Sequence, residues 1–128
     1  MSRTWITVAA LLGALGVALG AFGAHVLRAI LPLQAMTIFE TAVRYHLLHT
    51  LALLVTGLLM AQFPALTATL RRVAWLFLLG VLLFSGSLYV LSMSDLRWMG
   101  FVTPLGGLAW VMAWLGLAWT FGRGRKPD

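Results

Sequence analysis

Four long apolar stretches dominate the chain, and the short segments between them hold all of its charge. Residues 4–27, 45–70, 73–94 and 98–122 contain no Asp, Glu, Lys or Arg. Each exceeds the roughly 20 residues that a helix needs to cross the hydrocarbon core of a bilayer. The pattern therefore predicts an all-α membrane protein, a four-helix antiparallel bundle with transmembrane spans at about residues 5–26, 42–62, 73–92 and 99–121.

The connections between these spans predict a single membrane domain over residues 1–128. Short connections make consecutive helices antiparallel neighbours. The outer connection, residues 28–44, is the longest, and Pro32 within it breaks the first helix. No further breaker follows, so we expect a long second helix from about Met36 to Gln62. The first apolar run exceeds the roughly 7–15 residues of a signal peptide, which predicts a retained span.

Composition and charge exclude several classes of protein and set an orientation. Hydrophobic residues make up 62% of the chain, charged residues 9%, and cysteine is absent. These values exclude a water-soluble domain, a disordered chain, a nucleic-acid partner and any thiolate chemistry. Basic residues favour the cytoplasmic side, and with both termini there the outer side holds Arg28, Arg44 and Arg97. The cytoplasmic side, expected to contact anionic lipid headgroups of the bilayer, then holds Arg3, Arg71, Arg72, Arg123, Arg125 and Lys126.

Two stripes of small residues predict close packing between helices. Transmembrane helices associate through small residues because lipid removes most of the hydrophobic driving force. The stripes are Gly13, Gly16, Gly20 and Gly23 on the first helix, and Gly106, Ala109, Ala113 and Gly116 on the fourth. We interpret them as faces through which the first and fourth helices press against each other, or against a second copy in a homo-oligomer.

Polar side chains collect in the outer half of the predicted bundle, and we call them the outer polar cluster. Its members are His25, Glu40, Arg44, Tyr45, His46, His49, Ser85, Tyr89 and Thr103. Buried polar groups are costly in lipid, so such a set is expected to face a partner or a cavity. The inner half contains mostly Leu, Val, Ala, Phe and Met.

The second helix divides this chemistry between two nearly opposite faces. Glu40 and Arg44 form an i, i+4 pair in the favourable order, which predicts an ion pair at the interface. His46 and His49 are expected to point into the bundle and to satisfy carbonyls or hydroxyls there. A metal site is the alternative, because neutral imidazole binds Zn or Cu, with His25 as the conceivable third ligand. No catalytic constellation is recognised, so we expect neither an enzyme nor a cofactor.

Four short segments resemble a family of small membrane proteins. They are residues 20–25 (GAFGAH), 39–50 (FETAVRYHLLHT), 84–89 (FSGSLY) and 103–107 (TPLGG), in this order. They resemble the domain-of-unknown-function family 423, which includes bacterial inner-membrane proteins related to eukaryotic transmembrane protein 256. The resemblance implies a compact multi-pass protein of the cell inner (plasma) membrane, usually with four spans, and implies no established activity.

Two hypotheses for function follow from the outer polar cluster. In the first, the cluster binds or conducts a small ion or polar solute, and the histidines make it sensitive to pH near neutrality. In the second, the cluster holds the bundle together, and the protein is a structural or assembly subunit of a larger membrane complex. The number of titratable groups that converge favours the first, whereas the apolar inner half argues against a complete path through one monomer.

Overall fold

The structure, a computed structural model, describes residues 1–123. Residues 124–128, with Arg125 and Lys126 of the predicted cytoplasmic set, lie outside the described residues. Four helices are long and apolar enough to cross a membrane: α1 (Ser2–Ile30), α2 (Leu33–Gln62), α3 (Pro64–Met93) and α4 (Arg97–Gly122). Over residues 1–123 there is no strand. The prediction of an all-helical chain with four membrane-length helices is confirmed.

The predicted outer connection at residues 28–44 is almost wholly helical. α1 continues through Arg28 to Ile30 and α2 begins at Leu33, so that Leu31 and Pro32 alone separate them. Leu31 is extended because a residue before proline is disfavoured in the helical conformation. The charged residues of this segment therefore lie on the ends of helices that extend beyond the apolar spans, and not in a loop.

Burial identifies α2 and α3 as the centre of the bundle. In the most apolar 18-residue stretch of each helix, 44% of the α2 stretch and 39% of the α3 stretch are buried inside the protein. The corresponding shares are 17% for α1 and 22% for α4. α1 packs chiefly along α2, and α4 packs chiefly along α3. The two chain connections at one end, which contain Pro32 and Asp95, line a common cavity. We call this end of the molecule the Arg28 end.

The small-residue stripes of α1 and α4 do not face each other, so the expected contact between the first and fourth helices is wrong for the described residues. A Cβ atom added to Gly13, Gly16, Gly20 or Gly23 would meet side chains of α2 only. One added to Gly106 or Gly116 would meet α3, and Ala109 and Ala113 are buried. The two peripheral helices each use their face of small residues to approach a central helix. α1 approaches α2, which follows it along the chain, and α4 approaches α3, which precedes it. The spacing of the small residues identified the packing face of each helix but contained no information on which helix it contacts.

A π-helical turn of α3 lies directly against the backbone of α4 at Gly106. Such turns widen α1 at Gly23–Leu27 and α3 at Val81–Ser85, and an extra residue in a turn shifts the faces of the helix beyond it. At Gly106 an added Cβ would overlap the backbone N and Cα of Phe84 within the α3 turn. Thr103 and Pro104 begin the α-helical part of α4, where proline costs no hydrogen bond.

Gly106→Ala tests this contact, with Gly107→Ala as its matched control. The new methyl at position 106 would meet backbone atoms, which cannot rotate away, so α3 and α4 must separate. We expect a loss of about 1–3 kcal/mol in the free energy of unfolding. At position 107 the nearest atom would be Cδ2 of Phe84 at 3.7 Å, an ordinary contact. Unfolding of both variants in mild detergent by SDS titration measures the difference, and equal stabilities would contradict the assignment.

Candidate functional site

His46 joins three helices through its two ring nitrogens. Its Nε2 lies 2.8 Å from the backbone oxygen of Leu12 on α1, and its Nδ1 lies 2.8 Å from the Tyr89 hydroxyl on α3. A carbonyl oxygen can only accept, so Nε2 carries the proton, and the neutral ring then accepts from the Tyr89 hydroxyl at Nδ1. The partners thus assign one neutral tautomer to a side chain that is 1% exposed.

The close approach of α1 makes this hydrogen bond possible. An added Cβ on Gly16 would lie 3.4 Å from Cδ2 of His46 and would overlap the Leu47 side chain. Leu12 lies one turn before Gly16, so its carbonyl is reached across the surface that the missing side chain leaves open. The glycine stripe of α1 therefore positions a backbone acceptor as well as a packing surface.

His49 is held by the tryptophans of α4 and by its own helix. Nε1 of Trp114 donates to Nε2 of His49 at 3.2 Å, and Nδ1 of His49 lies 2.9 Å from the Tyr45 backbone oxygen. Because Trp can only donate, Nε2 accepts and Nδ1 carries the proton. The Trp110 ring stacks on the imidazole with centroids 3.7 Å apart and an angle of 6° between the planes.

Trp110 and Trp114 are the site residues that the sequence reading missed. Trp110 is 3% exposed and donates through Nε1 to the Phe77 backbone oxygen at 3.1 Å. An indole N–H inside a membrane requires an acceptor, and the i, i+4 spacing of the two tryptophans places both on one face. These two facts could have linked α4 to a polar group on α2 or α3 before the structure was known.

Two serines of α3 complete the contacts between helices. Ser85, at the end of the π-helical turn, donates to the Ala42 backbone oxygen of α2 at 2.8 Å. The Ser87 and Thr103 hydroxyls lie 2.6 Å apart and connect α3 to α4. We call His46, His49, Ser85 and Tyr89 the buried polar cluster. Within residues 1–123, Thr50 Oγ1 is the buried side-chain oxygen or nitrogen that lacks a hydrogen-bond partner.

The charged members of the outer polar cluster lie apart from the buried ones. Glu40 pairs with Arg28 of α1 at 2.8 Å, so the predicted Glu40–Arg44 ion pair is wrong. The long α1 brings Arg28 beside α2, a contact that a wheel of α2 alone cannot show. Arg44 and His25 are exposed, and Tyr45 is 40% exposed.

The geometry leaves no free imidazole nitrogen for a metal at the two candidate positions. All four ring nitrogens of His46 and His49 lie within hydrogen-bond distance of protein groups. Among the described residues, no three His, Cys, Asp or Glu side chains come together to hold an ion. Three surface cavities at the Arg28 end are lined by other residues, and none of these three includes a member of the buried polar cluster.

Comparison with known proteins gives a consistent set of relatives. The family described as "Protein of unknown function (DUF423)" matches residues 19–107. The UPF0382 inner membrane protein YgdD of Escherichia coli K12 is 42% identical over 88% of this chain and 85% of its own length. A UPF0382 membrane protein of Haemophilus influenzae is 39% identical over 93% and 94%. YwdK of Bacillus subtilis, also a UPF0382 membrane protein, is 37% identical over 88% and 91%. No solved structure matches the chain.

These matches cover most of the chain and agree with the four apolar helices. The matched residues 19–107 include the whole buried polar cluster and the Arg28–Glu40 ion pair. With the names of the relatives, the helices make this a multi-pass protein of the cell inner membrane. The chain belongs to the DUF423 family of small membrane proteins.

Proposed function

We propose that this protein is an interaction or assembly subunit of the inner membrane, and that its buried polar cluster stabilises the bundle. The observation that carries the proposal is the engagement of all four ring nitrogens of His46 and His49 by protein groups. A solute site needs donors or acceptors that are open to the solute. In this cluster the four ring nitrogens already have partners within the protein, three of them on neighbouring helices.

The way in which α1 is attached supports this role. α1 is the least buried helix, and lipid provides little hydrophobic drive to hold it against α2. Its attachment uses the glycine face and the hydrogen bond from His46 to Leu12. A bundle stabilised in this way keeps broad apolar faces of α1 and α4 directed outward. Those faces are available to a membrane partner or to a second copy of the chain.

The proposed topology has alternating helix directions, with both termini in the cytoplasm. It is supported by the shared cavity between the α1–α2 and α3–α4 connections and by Arg71 and Arg72 near the start of α3. Basic residues in short loops favour the cytoplasmic side. The Arg28 end then faces outward. We also propose that the chain has no enzymatic activity, because protein groups occupy both ring nitrogens of each buried histidine, the bases best suited to catalysis at this depth.

Binding of a small polar solute at the Arg28 end is the second candidate function. A cavity of about 740 Å³ opens there and is lined in part by Gln34, Ser92, Ser94, Asp95 and Arg97. Both signs of charge and several hydroxyl or amide groups are thus available to a zwitterionic or hydroxylated solute. Deeper in the bundle, the hydrogen bonds run from Tyr89 to His46 and from His46 to the Leu12 carbonyl, where they end. This end argues against conduction of a solute through one monomer.

Tyr89→Phe tests the stabilising role, with Tyr45→Phe as its matched control. The first substitution removes the hydroxyl partner of His46 Nδ1 and leaves that nitrogen unpaired. An interhelical hydrogen bond in a membrane protein contributes about 0.6–2 kcal/mol, so we expect a loss of that size on SDS unfolding. No hydrogen bond of the Tyr45 hydroxyl occurs in the described chain, and its removal should change stability by no more than a few tenths of a kcal/mol. A Tyr89→Phe protein as stable as wild type would remove the basis of the proposal.

Assembly is tested by native mass spectrometry of the full chain extracted with its surrounding membrane. We expect a species larger than the monomer, either with a second copy or with another membrane protein, and the same species for Asp95→Asn. Proton flux into proteoliposomes, followed with an enclosed pH-sensitive dye, is expected to equal that of empty vesicles. A monomer that carries lipid only, together with a flux that His46→Ala abolishes, would reject assembly in favour of permeation.

The topology is tested by cysteine labelling, which is simple because the natural chain has no cysteine. Leu96→Cys and Ala65→Cys place single thiols at exposed positions, the first in the α3–α4 connection and the second in the first turn of α3. We expect a membrane-impermeant maleimide to label position 96 in intact spheroplasts and position 65 only after lysis. The reverse pattern would show that the Arg28 end faces the cytoplasm.

A further inference from the structure

A groove lies on the surface between α1 and α2, near the Arg28 end. It has a volume of about 170 Å³, and its apolar lining includes Gly20, Gly23, Ala24, Phe39 and Val43. Gly20 and Gly23 let Val43 and Phe39 of α2 pack directly against the backbone of α1 along its wall. A Cβ on Gly23 would meet the Phe39 ring at 2.6 Å, and one on Gly20 would meet Val43 at 3.3 Å.

The charge at the rim of this groove is unbalanced. Glu40 and Arg44 both line it, and Glu40 is already paired with Arg28. Among residues 1–123, Arg44 has no ion-pair or hydrogen-bond partner, and Arg44 is exposed. Two arginines and one glutamate leave one net positive charge beside an apolar groove.

A second cavity extends the groove toward the end of the helices. Its volume is about 330 Å³, it shares Met36 and Glu40 with the groove, and it reaches Arg28. Arg44 lies four residues after Glu40, about 6 Å further into the membrane along α2. Long arginine side chains at this depth extend toward the interface. Apolar space below and polar space above follow the order of acyl chain and headgroup in a phospholipid.

We propose that this groove is a binding site for an anionic phospholipid. One acyl chain occupies the apolar groove along Gly20, Gly23 and Ala24, and the phosphate pairs with the Arg44 guanidinium. Guanidinium groups bind phosphate oxygens in a bidentate manner. The unpaired positive charge selects a lipid with net negative charge over a zwitterionic one with the same chains. This site lies on the α1–α2 surface at the Arg28 end, and it does not depend on the assembly role proposed above.

Native mass spectrometry of the full chain with phosphatidylglycerol and phosphatidylcholine of identical chains tests the headgroup contact. We expect wild type to retain phosphatidylglycerol preferentially at equal lipid concentrations. In Arg44→Gln the preference should fall about fivefold, the effect of one basic residue near an anionic lipid. Arg97→Gln, another exposed arginine at the same end, should keep the preference. An unchanged preference in Arg44→Gln would overturn the proposal, and so would a loss of similar size in Arg97→Gln.

Filling the groove tests the acyl-chain contact independently of charge. Ala24→Phe places a large ring where the chain would lie, and Ala18→Phe places the same ring on an exposed position of α1 outside the groove. We expect the first variant to lose bound lipid of both headgroups and the second to retain it. Equal retention would overturn the proposal. Displacement of phosphatidylglycerol by inorganic phosphate at equal concentration would likewise overturn it, because that result identifies a site for free anions.

Discussion

A buried polar group in hydrocarbon must find its partner within the protein, and the bundle depends on how His46 meets this requirement. The imidazole cannot be hydrated at its position, and its neighbours offer one carbonyl on α1 and one hydroxyl on α3. The carbonyl is reached only if α1 lies close to α2, which Gly16 permits. Packing and hydrogen bonding are therefore one problem here, because the small residues that bring the backbones together also bring the acceptor within reach. The same logic applies where Trp110 lies against Gly80 and donates to Phe77.

This requirement separates the polar residues into two kinds. Those at depth (His46, His49, Ser85 and Tyr89) pair with one another, with backbone or with Trp114, and their polar atoms point into the bundle. Those near the Arg28 end remain open to the surroundings, as Arg44 and the cavity beside Asp95 and Arg97 show. The two proposals follow this division. The assembly proposal assigns the buried groups to stabilising the bundle, and the lipid proposal assigns the exposed α1–α2 surface to an anionic phospholipid.

Much of the site could be read from residue type and depth, but its pairing could not. The sequence placed His46 and His49 inside the bundle and expected them to satisfy carbonyls or hydroxyls. It paired Glu40 with Arg44, since both lie on α2 one turn apart. The structure pairs Glu40 with Arg28 because α1 continues as a helix to Ile30 and its last turn lies beside α2. Arg28 and Glu40 are twelve positions apart and lie on either side of a helix break, so their contact depends on the angle between the two helices. The hydrophobic periodicity of the sequence does not determine that angle.

The sequence by itself determined the number of helices, their apolar character, the breaks at Pro32 and near Asp95, and the faces made of small residues. These are local properties, because hydropathy and backbone preference act on each segment without reference to its neighbours. The tertiary structure alone decided which helix each glycine face approaches, and it decided where the π-helical turn of α3 admits Gly106. It also decided that both buried histidines are fully engaged. Those outcomes depend on distances of a few ångströms between helices, and such distances are fixed only when all four pack at once.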